Sequence, residues 1–448
     1  HRLIRRQRQM CIRDRIKVGV ISLGCDKNRV DSEIMLASIR EKGFLLTSEQ
    51  NEADVIIINT CGFIEAARKE SIDAILEAAQ LKNSGKKIIV TGCMVQKFGK
   101  ELLPELPEVN AFCGVDSYIK MGEIVEKVLN ADSQFYDVEV CNGISSGKRV
   151  LTTPSHYAYL RIADGCDNYC SYCLIPYIRG RFRSRTISDI VGEAKQLAES
   201  GVRELILVAQ DVTRYGADLY NSPKLTELLR SLSEIEQVRR IRLLYCYPEE
   251  IDEALIKEIA SNPKIVKYLD IPLQHVHNDI LKSMNRRSSF EEICELFKFL
   301  RTEIPDISIR STFICGFPGE QTKHFLTLKS FIEKQKLENV GFFAYSPEEG
   351  TVAALMKERI SEKVTQHRLQ KLAKCQQKVV RILNKRHVGK VYEVLIDDFC
   401  ELDSKKNLLI YKGRTYFQTP EVDGVVYIES ENELVIGEFY DVAITDFK

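Results

Sequence analysis

Three short runs near the start of the chain, "IKVGVISLG", "DVIIINT" and "KKIIVTG", are almost continuously apolar and rich in β-branched residues. That is the pattern of strands covered on both faces. Between them lie "DSEIMLASIREKG" and "FIEAARKESIDAILEAAQLKNSG", which have helical spacing, the second ending near a glycine. The alternation predicts an α/β fold that begins with a small open parallel sheet over residues 16–132. The next stretch, "DSQFYDVEVCNGISSGKRVLTTPS", has no helical period and contains turn residues, which predicts a linker at 133–153. Strand-like runs then return at "YAYLRIADG", "ELILVAQD", "RRIRLLYCYP", "VKYLDIPLQ", "ISIRSTFICGF" and "VGFFAYSP", each separated by a helix-sized segment. Six such units are too few for an eight-unit barrel and predict a partial (β/α)6 barrel over 154–382. A helical segment, "SEKVTQHRLQKLAKCQQKVVRILNKR", leads into 383–448, where short β-type runs alternate with turns and predict a small all-β barrel of OB-like size.

The 448-residue length fits several cores, and 44% hydrophobic with 29% charged residues is the composition of a soluble globular protein. No apolar run approaches the ~18 residues of a membrane span and no signal peptide is visible, so a cytoplasmic location without membrane association is expected. Residues 1–15, "HRLIRRQRQMCIRDR", look like a basic arm. From Arg5 to Arg15, however, they read as a translated sequencing adapter, and they are set aside as an expected artefact. They carry six arginines and one aspartate, so without them 64 basic against 64 acidic residues become 58 against 63. A mildly acidic chain argues against general nucleic-acid binding.

Fourteen cysteines in a chain of this kind point to metal or redox chemistry rather than a disulfide scaffold. Cys166, Cys170 and Cys173 form a C-x3-C-x2-C run directly after the first barrel strand, at the face where such barrels place active sites. A structural zinc site brings a second Cys/His pair at ordered spacing, and none follows. Three thiolates on a cubane cluster leave one iron open to a substrate or cofactor. Cys25, Cys61 and Cys93 form a second set, each following a strand and each close to a glycine. Ligands in open α/β sheets gather beyond the carboxyl ends of the strands, so these three either converge on a second open cluster or are separate small buried hydrophobes. Cys113, Cys141, Cys246, Cys294, Cys315, Cys375 and Cys400 read as core or surface thiols, and Cys11 belongs to the adapter. Arg179, Arg181, Arg183 and Arg185 alternate, either as a solvated basic face or as carboxylate binders beside the site. Gln210, Asp211 and Gln274 end barrel strands within reach of a cofactor, whereas His275 and His277 read as polar strand-end residues.

The cysteine run at the start of a partial barrel resembles the radical S-adenosylmethionine (SAM) enzymes. The resemblance implies that the open iron chelates SAM and reduces its sulfonium to give a 5′-deoxyadenosyl radical. "STFICGFPGE" resembles the family's adenine-contacting loop, which implicates Gly316 and, on the same strand, Arg310; Glu320 stands one residue further from Gly316 than the usual pattern. Two three-cysteine sets followed by a TRAM-like β-barrel resemble the methylthiotransferases over Ile16 to Lys448. "SLGCDKNRVDSE", "NTCGFIEAARKES" and "YSPEEGT" resemble the branch that modifies an aspartate of small-subunit ribosomal protein twelve; the alternative is the branch that modifies a transfer-RNA adenosine. The resemblance implies two 4Fe–4S clusters and SAM as cofactors. One SAM would methylate a sulfur held at the N-terminal cluster, and a second would be cleaved at the barrel cluster. The implied partners are the ribosomal protein and an electron donor such as flavodoxin or ferredoxin, with no requirement for nucleic acid. From Lys385 onward there are eight Lys/Arg and thirteen Asp/Glu. That acidic balance suits a basic protein partner better than RNA phosphates.

Overall fold

A computed structural model describes residues 16–447 apart from 82–84, 132, 140–143, 145–146 and 405–406. The adapter-like segment, Cys11 and Cys141 lie outside the described residues. Two compact units divide the chain: His1–Thr152 with Ala163–Tyr169 and Cys173–Arg185, and Thr153–Ile162 with Cys170–Tyr172 and Thr186–Lys448. Among the described residues no helix is long and apolar enough to cross a membrane.

In the first unit, β1 (Lys17–Ser22), β2 (Leu45–Thr47), β3 (Val55–Thr60), β4 (Lys87–Gly92), β5 (Ala111–Cys113) and β6 (Phe135–Asp137) form one parallel sheet in the order β2-β1-β3-β4-β5-β6. Helices α1 (Asp26–Glu41), α2 (Glu65–Gln80), α3 (Cys93–Glu105) and α4 (Met121–Leu129) connect them. All six positions of β3 are buried, as its unbroken apolar run requires. Ile56, Ile58, Ile88, Val90 and Phe112 pack with Ile75 and Ala78 of α2 into the core beside it. The strand order reverses between β1 and β3, the switch point beyond which doubly wound sheets hold ligands.

Residues 133–153 supply β6, a three-residue edge strand too short to show a period, and their end is tied to α1. The carboxylate of fully buried Glu33 accepts from Thr152 N and Oγ1, both at 2.9 Å, and pairs with Arg149. The first unit is completed by β8 (Ala163–Asp164), α5 (Ile175–Ile178) and β9 (Arg183–Ser184), with β8 and β9 antiparallel.

The second unit contains β7 (Tyr157–Arg161), β10 (Glu204–Val208), β11 (Arg240–Leu243), β12 (Ile265–Asp270), β13 (Ser308–Cys315) and β14 (Asn339–Ala344). They pair in parallel in the order β14-β13-β12-β11-β10-β7, the expected six-stranded partial barrel. The crossover helices are α6 (Ile187–Glu199), α7 (Leu225–Ser233), α8 (Glu253–Ser261), α9 (Asn278–Ser283), α10 (Phe290–Glu303) and α11 (Thr322–Gln335). Thr186 and Asp252 cap α6 and α8, and Ser289 with Glu292 forms a capping box on α10, so these starts are fixed locally. Helix α12 (Glu362–Asn384) leads to β15 (Val391–Asp403), β16 (Leu408–Arg414), β17 (Val426–Ser430) and β18 (Phe439–Ala443), an antiparallel sheet in the order β17-β16-β15-β18.

This tail closes the amino-terminal ends of the barrel strands. Arg240 and Arg242 donate to the carbonyls of Arg414 and Tyr416 at 3.0 and 2.8 Å. Tyr268 donates to Asp423 at 2.7 Å, and Asn339 donates to the Phe417 carbonyl at 3.3 Å.

Candidate metal and cofactor sites

The switch point positions the first cysteine set. Cys25 follows β1 as the residue before α1, Cys61 follows β3, and Cys93 opens α3 after β4. Close backbone approach brings their loops together. A Cβ on Gly24, which has φ +98°, would stand 3.2 Å from Cys61 Sγ, and one on Gly62 would stand 2.7 Å from Met94 Cα. Only glycine fits at either point. Burial pushes the Cys61 thiol up and that of Cys93 up to about 12, with neighbouring Cys25 raising both further. Unbound, Cys61 and Cys93 stay protonated; a bound cation is what would hold them as thiolates.

The spacing also bears on which cation. Zinc holds its sulfurs at ~2.3 Å, hence about 3.8 Å from one another. Among the described residues the only group with three ligand atoms all within 4.8 Å is His277, Asp279 and His324. The sulfurs of Cys25, Cys61 and Cys93 do not all lie within that distance of one another, and a cluster of several irons spans more than a single ion does. The histidine group is a capping arrangement: Nδ1 of His277 accepts from Asp279 N at 3.3 Å and Nδ1 of His324 from Gln321 N at 3.0 Å. His275 is fully buried, and burial depresses its pKa to about 3.

A polar network that pattern reading missed supports the first set. Helix α1 buries Lys27, Asn28, Asp31, Ser32 and Glu33. Asn28 Nδ2 donates to the carbonyls of Leu23 and Thr60, at 2.9 and 3.0 Å, just ahead of Cys25 and Cys61. Its Oδ1 accepts from Cys93 Sγ at 3.5 Å. Asn59 Nδ2 in turn donates to the Asn28 carbonyl and Ser32 Oγ, both at 2.9 Å. One asparagine thus ties the three cysteine-bearing loops.

Each unit fixes its own part of the C-x3-C-x2-C run. In the first, Cys166 N donates to the Gly180 carbonyl at 3.2 Å, while the amides of Asn168 and Ile175 donate to Cys166 Sγ and Cys173 Sγ at 3.5 and 3.4 Å. Tyr169 has φ +48°, a left-handed conformation that costs a bulky residue energy and that structures retain at functional sites. In the second, Ser171 Oγ donates to the Ser283 carbonyl at 2.8 Å, and Tyr172 packs edge-on to Phe317. Cys170 Sγ lies 3.8 Å from Tyr247 OH and 4.0 Å from Arg286 Nη1, with the Arg286 guanidinium stacked over the Tyr247 ring.

Gln210, Gln274 and Gly316 all follow or close the carboxyl ends of barrel strands. Gln274 has φ +68° and bonds through its backbone to Thr312 and Ile314 at 2.8 Å. Gly316 N donates to Glu320 Oε2 at 2.7 Å, and buried Glu320 pairs with Arg368 of α12 at 2.6 Å. The offset glutamate thus braces its loop. Asp211 is fully buried and accepts from Thr213 Oγ1 at 2.7 Å within its own turn. Arg310, the third residue of β13, is in register with Asp270, the last residue of β12. Its guanidinium pairs with Asp270 at 2.7 Å and faces Asp423 of the tail at 3.6 Å.

The four arginines divide, with Arg179 and Arg185 buried. Arg181 pairs with Asp167 at the surface, and Arg183 donates to the carbonyls of Arg179 and Arg181. Arg179 is buried, bonded to Asp31 at 2.8 Å and Asp164 at 3.4 Å, and donates from Nη2 to Asn28 Oδ1 at 2.6 Å and Cys93 Sγ at 3.4 Å. Burial opposes its charge, yet Asp31, Cys93 and Asp164 outweigh it and raise the pKa above the ordinary value. Cys113, Cys246, Cys315 and Cys375 are buried, as expected of core thiols; Cys294 is half-buried and Cys400 exposed.

Three family models match in order: the uncharacterized protein family UPF0004 at 17–114, the radical SAM superfamily at 160–332 and a TRAM domain at 388–448. Fold and site thus define a radical SAM protein flanked by these two domains. Curated relatives narrow the class. The ribosomal protein uS12 methylthiotransferase RimO of Clostridium tetani (strain Massachusetts / E88) is 46% identical over 434 residues, covering 96% of each chain. That of Clostridium kluyveri is 49% identical over 439 residues, 97% of this chain and 96% of its own. The chain belongs to the ribosomal protein uS12 methylthiotransferase family. Among solved structures, the radical SAM methyltransferase TsrM of Kitasatospora setae, with tryptophan and a SAM analogue bound, aligns with TM-score 0.55 at 13% identity, covering 73% of this chain and 72% of its own. That likeness concerns the fold alone.

Proposed function

We propose that the protein inserts a methylthio group at the β-carbon of an aspartate in small-subunit ribosomal protein uS12. Family membership carries the reading, and the two cysteine sets at strand ends supply what the reaction needs. Cys25, Cys61 and Cys93 hold one 4Fe–4S cluster, and Cys166, Cys170 and Cys173 the other. When bound, the clusters and SAM supply one-electron cleavage of a sulfonium and the sulfur that is transferred. The chain's own groups stabilise the thiolates, through the amides of Asn168 and Ile175 and the guanidinium of Arg286, and line the SAM side with Gln210, Gln274 and Gly316.

A cytoplasmic setting, a flavodoxin- or ferredoxin-like electron donor and a basic protein partner complete the reading. Asp398, Glu401, Glu429, Glu431, Glu433 and Asp441 of the tail are exposed and suit such a partner.

Anaerobic reconstitution tests it. The protein is expected to bind about eight irons, and replacing Cys166, Cys170 and Cys173 with Ala to remove about half. Mass spectrometry after incubation with uS12 or with transfer RNA is expected to find the added methylthio group on the protein alone. Modification of the RNA instead, or loss of all iron from the triple variant, overturns the corresponding part.

A further inference from the structure

We propose that Arg179 is a positioning residue for the N-terminal cluster, tuning it through a hydrogen bond to Cys93 and tying it to the segment that carries Cys166 and Cys173. This rests on the reading of Cys25, Cys61 and Cys93 as cluster ligands.

The geometry is specific to a guanidinium. Asn28 Oδ1 and Cys93 Sγ face one another at 3.5 Å, with the thiol as donor. A cluster-bound sulfur at Cys93 has no proton to donate, so that contact would set two acceptors against one another. Arg179 Nη2 already reaches both, at 2.6 and 3.4 Å, and resolves the conflict by donating to each. Nη1 is meanwhile held by Asp31 at 2.8 Å and Asp164 at 3.4 Å, so the fork is fixed at both tips. The hydrogen bonds of Asn28 to the loops before Cys25 and Cys61 extend this one contact to the whole set.

Arg179 lies six residues after Cys173 and directly follows α5. Leu174 and Ile178, on either side of that turn, pack with Cys93 and Val115 in one apolar cluster. Within the first unit, the stretch bearing Cys166 and Cys173 is therefore joined to the N-terminal set by both apolar and charge-assisted contacts. A charge-assisted N–H···S bond stabilises the more electron-rich reduced state and makes the potential more positive.

The test uses the full chain with Cys166, Cys170 and Cys173 replaced by Ala, so that one cluster remains. In that background Arg179→Gln is expected to retain its iron but to show a more negative midpoint potential and an altered electron paramagnetic resonance line shape, with Arg179→Lys restoring part of the shift. Unchanged potential and line shape in an iron-loaded Arg179→Gln protein overturn the proposal. Should that variant fail to fold, the same background with Arg179 intact, labelled with nitrogen-15 arginine, decides. A hyperfine coupling from a guanidinium nitrogen to the reduced cluster is expected, and its absence overturns the proposal. If the background itself holds no iron, the N-terminal ligand assignment fails and Arg179's role falls with it, an outcome distinct from a cluster that ignores Arg179.

Discussion

Glu204→Gln is expected to be among the most destabilising conservative changes in the second unit, although it touches no reacting group. Glu204 opens β10 with its side chain fully buried. Arg242 Nε donates to one carboxylate oxygen at 2.8 Å and Arg414 Nη1 to the other at 2.7 Å. Arg414 also grips Asp397 at 2.7 and 2.9 Å, and Asp397 accepts from His156 at 2.8 Å. Burial alone would raise the Glu204 pKa, but Arg414, Arg242 and Arg240 overcome it and lower the group from 4.5 to about 2. A carboxyl so depressed stabilises the folded state by on the order of 3 kcal/mol above its unfolded pKa, and the contribution is lost as pH falls from about 4.5 towards 2. Breaking a buried pair by removing one partner costs about 3–5 kcal/mol, the same order. Glutamine leaves two guanidiniums buried without the carboxylate between them.

For a unit of this size the loss is expected to lower the midpoint of thermal unfolding by on the order of 5–15 °C at pH 7. Circular dichroism of the cluster-free protein measures it. The gap between wild type and variant is expected to close as pH falls through 4.5 towards 2, where Glu204 itself becomes neutral. A variant melting within about 2 °C of wild type at pH 7, or a gap indifferent to pH, would refute the reasoning. The same network makes truncation near Lys385 a poor probe of the tail, because it would strip the partners of Glu204, Arg240, Arg242 and Tyr268 together.

Replacing Cys25, Cys61 and Cys93 with Ala is expected to leave release of 5′-deoxyadenosine and methionine intact and to abolish the methylthiolated product, read by mass spectrometry; product from that variant would sink the division of labour. Replacing exposed Glu429, Glu431 and Glu433 with Lys is expected to weaken uS12 binding several-fold at low salt and little at high salt, measured by titration at two ionic strengths; equal affinity at both would remove the electrostatic argument.

Where the sequence was legible, one physical regularity was repeated many times. Every expected barrel strand is present, and β7 and β10 are buried at every position, as largely apolar runs predict; the six cysteines are selected by chain spacing and strand ends, which need no side-chain geometry. What pattern reading misses is polarity turned inward. "DKNRVDSE" looks like the wet face of a helix, yet Asn28, Asp31 and Glu33 are buried because each meets a partner distant in sequence: Thr60, Arg179 and Arg149 respectively. Likewise, Arg179 looked like one member of an alternating run, but the turn of α5 sends it inward while Arg181 stays at the surface. Nor does its strand pattern show that Arg310 meets two carboxylates, Asp270 and Asp423.

Two sets of contacts shape the second unit. Glu204 and Arg242 engage Arg414 and Tyr416 of the tail, and Tyr268 and Arg310 engage Asp423, in a buried set of charges and hydrogen bonds. At the carboxyl-terminal ends, Tyr245 and Gln274 hold left-handed backbone conformations, φ +60° and +68°, that neither side chain favours. Strain of this kind costs on the order of 1–3 kcal/mol per residue and persists only where the surroundings over-determine it. A ligand-binding edge must keep groups open and cannot supply that determination alone. A neighbouring strand helps to supply it: Asp270, the last residue of β12, is gripped by its register partner Arg310 at 2.7 Å, and its Oδ2 accepts from the strained Tyr245 amide at 3.1 Å. Arg310 therefore bears on the edge where the cofactor is proposed to bind by fixing the carboxylate that holds a strand end in an unfavourable shape.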